Sequence, residues 1–190
     1  MVIFDRLQVS EDGKKLYIDA HVNKAEYFNN NYIAKVVILT QDQVSETNPL
    51  LPSTSFVYTK EIQGNKKEIN LALDATVDFT YNMHSLSDKL LFVYVICTGT
   101  PSDDTPCRLD ELTTLGVTFD TFKVYQRVLE LTKGINDTCE VPEDFMNFMA
   151  IWFGFKAAIE SEHFITAIDL WNKLEENNTG TNNSNCGCHG

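Results

Sequence analysis

The densest group of metal-seeking residues in the chain is Cys186-Gly187-Cys188-His189, two thiols and an imidazole within four positions. Soft sulfur beside imidazole is the ligand chemistry of zinc and copper. A structural zinc site takes four ligands, commonly as two separated pairs. Cys107 and Cys139 are the candidates for the second pair, and nothing in the sequence brings them close. Read this way, the segment is a polar arm of small residues able to thread a groove, with neither metal nor cofactor. Cys186, Cys188 and His189 then count as contacts to a partner. The loop aspartates Asp42, Asp103 and Asp104 lack the regular ligand spacing of a calcium loop.

Other chemistries leave weaker traces. His21 falls on the outward side of an alternating strand and His163 in a polar break between helical segments, so both read as surface residues. There is no Gly-x-Ser-x-Gly elbow, no glycine-rich phosphate loop and no His-Glu-x-x-His pair. With 27 acidic residues, no catalytic carboxylate pair can be singled out. The expectation is a protein that is not an enzyme.

A different surface stands out. Phe145, Met146, Phe148, Met149, Ile151, Trp152, Phe153 and Phe155 follow Pro142-Glu143-Asp144, where proline and acids mark a helix start. A helix apolar nearly all round is buried on several sides. Phe145, Phe148, Trp152 and Phe155 are therefore core residues, or else residues covered only on assembly, since large apolar patches are uncommon on monomers.

The elements that must carry these residues change character along the chain. Val2 to Val9 is rich in β-formers. Lys15 to Val22 alternates, with Leu16, Ile18, Ala20 and Val22 on one side. Asp12-Gly13 between them supplies the positive φ of a tight hairpin. Tyr32 to Thr40, Phe56 to Ile62 and Glu68 to Asp74 read as further strands, with breaks at Asn48 to Pro52 and Gly64-Asn65. Leu90 to Cys97 is a continuous apolar run, the pattern of a strand buried on both faces. Helical spacing is expected from Leu109 onward, with Phe119, Phe122, Val124, Tyr125, Val128, Leu129 and Leu131 as a stripe ending near Gly134. Residues 143–176 read as a helical hairpin or one kinked helix. The expected fold is α+β: an antiparallel β-sandwich or small barrel over 1–100, helices over 101–176, and a polar C-terminal arm over 177–190.

Composition narrows the partners. The net charge of −12 repels nucleic-acid phosphate, and the only basic pairs, Lys14-Lys15 and Lys66-Lys67, fall in turns. No signal-peptide pattern opens the sequence. Leu90 to Cys97 is too short to span a bilayer, and Phe145 to Ile159 is short and carries Lys156, so no membrane is expected. Five irregularly spaced cysteines point away from a disulfide framework and toward a reducing compartment.

The opening string, Ile3-Phe4-Asp5-Arg6-Leu7-Gln8-Val9-Ser10-Glu11-Asp12-Gly13-Lys14-Lys15-Leu16-Tyr17-Ile18-Asp19, resembles the start of structural proteins from crAss-like bacteriophages. More narrowly, it looks like one of the ring proteins of their neck and tail. The match covers the first tenth of the chain. The resemblance implies a virion subunit assembled in the bacterial host cytoplasm. Its partners would be copies of itself in a ring and neighbouring portal or tail proteins. Genome DNA would pass through the ring without specific binding. The alternative is a β-sandwich module for carbohydrate or peptide, with Tyr27, Phe28 and Tyr32 beside the turn Asn29-Asn30-Asn31 as its aromatic platform.

Overall fold

A computed structural model describes residues 2–44, 56–62, 66–81, 83–104, 108–133, 135 and 141–179, with side chains through 176. The chain divides into two units, Met1–Thr121 and Phe122–Gly190.

Among the described residues, the first unit holds seven antiparallel strands in two sheets. β1 (Val2–Val9), β2 (Lys15–Val22) and β5 (Glu68–Asp74) form one, in the order β1-β2-β5. β3 (Tyr32–Thr40), β4 (Tyr58–Ile62), β6 (Leu91–Gly99) and β7 (Glu111–Thr118) form the other, in the order β4-β3-β6-β7. The hairpin forms where the Asp-Gly pair asks for it. Gly13 has φ +67°, and β1 pairs with β2 from Val9↔Leu16 to Val2↔Val22. A shift in register at Asp5 kinks β1.

Alternation then builds the core. Leu16, Ile18, Ala20 and Val22 all turn inward, joined by Ile69 and Leu73 of the neighbouring strand. Ala34, Val36 and Ile38 of β3, with Leu91, Val93, Val95 and Cys97 of β6, supply the opposite wall. Each large side chain taken out of water there contributes roughly 1.5–3 kcal/mol. β6 is buried on both faces, as its unbroken apolar run requires: Phe92 and Tyr94, pointing away from Leu91 and Val93, are also fully buried.

The two sheets are open, so the unit is not a closed barrel. On one side the edge strands β1 and β7 meet through side chains instead of a ladder. The Val2 amide donates to Thr114 Oγ1 (3.4 Å), and Thr118 Oγ1 donates to the Leu7 carbonyl (3.3 Å). Gly116 permits this approach, because a Cβ there would lie 2.6 Å from Leu7 Cδ2 and 2.8 Å from Phe4 Cε2.

β7 corrects the expectation of helix from Leu109. The run Glu111-Leu112-Thr113-Thr114-Leu115-Gly116-Val117-Thr118 pairs along β6 from Thr98↔Glu111 to Leu91↔Thr118. Three threonines and a glycine dilute its apolar signal, and pairing to a strongly apolar neighbour decides its state.

The second unit holds α1 (Thr121–Thr132) from its second residue on, together with α2 (Glu143–Glu160) and α3 (Phe164–Thr179). The helical hairpin is present, not one kinked helix. Its break lies at Ser161 to His163, where Glu162 takes φ +58° and the His163 carbonyl accepts from the Ala167 amide to open α3. Phe148, Phe155 and Ala158 of α2 bury against Phe164, Ala167, Trp171 and Leu174 of α3. The Phe155 and Trp171 rings lie 5.4 Å apart. α3 runs through Thr179, so the first three residues assigned to the arm are helical. Asn48 to Pro52, Gly64-Asn65, Gly134, Cys107, Cys139 and the arm from Gly180, with Cys186, Cys188 and His189, lie outside the described residues.

Candidate interaction surface

Of the four aromatic residues singled out on α2, Phe148 and Phe155 are buried within the chain. Phe145 and Trp152 are half-buried, and the Trp152 ring stacks 5.7 Å from Phe155. Lys156 Nζ sits 5.8 Å from the Trp152 ring centre, a cation–π contact one turn along the helix. These residues belong chiefly to the side that meets α3.

The opposite side of α2 carries the open apolar surface. Met146 is 59% exposed and Phe153 60%. Ala150 and Ala157, also exposed, fall between and beyond them. At 100° per residue, positions 146, 150, 153 and 157 lie on one stripe of about 16 Å. The helix is therefore not buried on several sides as its composition predicts. α3 covers one face and leaves another open.

α1 makes the same point more strongly. It is clearly amphipathic, yet none of its residues is fully buried. Phe122, Tyr125 and Leu129, spaced three and four apart, are 38%, 57% and 47% exposed. The cationic side faces inward: Lys123 Nζ reaches Glu175 Oε2 of α3 at 2.8 Å, and Arg127 is bonded to Glu130 at 3.3 Å. The Lys123–Glu175 pair contributes about 1 kcal/mol or less, so it orients α1 more than it holds it, while Arg127–Glu130 is a pair within α1. The stripe over Phe122, Tyr125 and Leu129 was readable as helical, but not as outward-facing.

The carbohydrate or peptide module loses its platform. Phe28 and Tyr32 are buried in the β core, with rings 6.3 Å apart. Tyr27 packs edge-on against Phe28 at 4.8 Å, and its hydroxyl accepts from the Leu109 amide (2.9 Å). A short strand-flanking turn of Ala25–Phe28 swings these rings inward, where the core needs volume.

The titratable groups follow structural needs. Ser10 and the Lys14 amide bond to Asp12, and Thr76 to Asp74; both carboxyls are held below the ordinary carboxylate range by those bonds. Burial alone pushes the Tyr94 hydroxyl up to about 12 and raises the Cys97 thiol. His21 Nδ1 lies 2.7 Å from Asp5 Oδ2 on the β1–β2 surface. Between the outer edges of β4 and β5 runs a cleft lined by Lys60, Glu61, Ile62, Lys66, Glu68 and Ile69, mixed in charge and without a hydroxyl, thiol or imidazole side chain. Among the described residues no three histidine, cysteine or acidic side chains converge, and no helix is long and apolar enough to cross a membrane.

A β unit with a finished core, joined to helices that turn apolar stripes outward, is the build of a structural subunit that works by packing against other proteins. The comparisons place the chain within that class. The family model for the Crassvirus tail hub protein A matches residues 2–189, and the chain belongs to that family. It is similar to the tail hub protein A of Bacteroides phage crAss001, with 28% identity over 213 aligned residues covering 98% of this chain and 99% of the relative. The chain is thus a structural protein of a crAss-like phage tail and not an enzyme, and it associates with other virion proteins. The resemblance drawn from the first hairpin extends along nearly the whole sequence.

Proposed function

We propose that this chain is a ring-forming subunit of the phage neck or tail, assembled in the host cytoplasm, through which genome DNA passes without specific binding. The observation that carries this is the pair of outward apolar stripes on the helical unit, Met146 with Phe153 on α2 and Phe122, Tyr125 and Leu129 on α1. Aligned apolar residues left open in this way mark a surface where another protein docks. Two different patches on one subunit suit head-to-tail contacts, which close into rings. The net charge of −12 supports passage of DNA without adhesion. Neighbouring rings, portal or tail, would cover the remaining surface.

The test is electron cryomicroscopy of tails from the phage that encodes the chain. The expected result is a symmetric ring around the tail axis into which the β unit fits. Density for this subunit only as isolated copies away from the axis would overturn the reading.

A further inference from the structure

We propose that the α1 stripe of one copy docks antiparallel on the α2 stripe of the next. This rests on the ring reading above and names the joint. The two stripes fit each other in one register. With Phe122 placed over Ala157, Leu129 falls over Ala150, because both pairs are seven residues apart in opposite directions. Each bulky residue of α1 then meets a small residue of α2. Phe153 enters the gap between Tyr125 and Leu129. The alanines let the axes approach to about 8–10 Å, the ordinary helix-packing distance.

Charge selects the same direction. Lys133, exposed just beyond the end of α1, comes over Met146 within reach of Glu143 and Asp144 in the first turn of α2. A parallel arrangement would move Lys133 toward the other end of α2 and lose that pairing. Antiparallel helices also set the positive end of one dipole beside the negative end of the other. All the residues used on both faces are exposed in the single chain.

The experiment uses the full chain and two variants, Leu129→Glu and Phe153→Glu, followed by native mass spectrometry and sedimentation at physiological salt. Both positions are on the surface, so folding, checked by circular dichroism, is expected to persist. Each variant buries a carboxylate at the joint and should weaken self-association by about 10- to 100-fold. Each keeps one intact face. Mixed together, they should form a one-to-one dimer that neither forms alone, and nothing larger. Assembly of either variant as in the unaltered chain overturns the joint. So does a mixture that stays monomeric, or an unaltered chain that never associates at tens of micromolar. If a tail ring is seen but these tests fail, the ring reading stands and its joint lies elsewhere.

Discussion

The two units use their apolar residues in opposite ways. In the β unit, alternate positions of β2, β3, β5 and β6 converge on one core, and the large apolar residues left outside, such as Ile3, Ile33 and Val77, are scattered singly. In the helical unit, Phe148, Phe155, Trp171 and Leu174 make a smaller core, while Phe122, Tyr125, Leu129, Met146 and Phe153 fall outward at helical spacing. Scattered apolar residues need no explanation, but two aligned stripes do. The contrast separates a part whose apolar residues are covered within the chain from a part that leaves aligned apolar residues open.

The largest expected effect breaks the helical unit at its core. Trp171→Ala removes the ring that packs on Phe155 and should cost about 3–5 kcal/mol, read as early loss of helical signal in a urea titration. Survival of the hairpin at the original midpoint would mean that its core is not where the contrast puts it. Next comes the contact between the two sheet edges. Gly116→Val drives a branched side chain into Leu7 and Phe4 and should cost about 1–3 kcal/mol. The same urea titration, followed through strand signal, reads it.

The smallest effect is titration of the β core. Tyr94 is raised from 10.0 to about 12 by burial, so the unfolded chain releases its phenolic proton first. Between those two values the unfolded state binds fewer protons, and stability falls as pH rises. The melting temperature should therefore decline across that window, and Tyr94→Phe should flatten the decline. An unchanged slope in the variant would show that Tyr94 does not contribute to it.

Much of the β unit was legible in the sequence because alternation and turn chemistry act locally. The expected strands Lys15 to Val22, Tyr32 to Thr40 and Glu68 to Asp74 match β2, β3 and β5 residue for residue. β7 was not legible, because its threonines and Gly116 carry little hydrophobic pattern and its state is set by β6. The α2 aromatics were legible as a helix but not as faces. Which side of an all-round apolar helix is covered depends on α3, a tertiary fact that periodicity does not contain. The buried state of Phe28 was hidden for the same reason, whereas Tyr32 shares the inward side of β3 with Ala34, Val36 and Ile38 and was readable from alternation.

The most direct measurement is hydroxyl-radical footprinting of the free chain and of intact tails from the encoding phage. Met146, Phe153, Tyr125 and Leu129 should be oxidised readily in the free chain and protected in tails, while Val77 and Tyr81 of the β unit serve as exposed references in the free chain. Equal oxidation of Met146 and Phe153 in both samples would contradict the claim that the helical unit is completed by a neighbour.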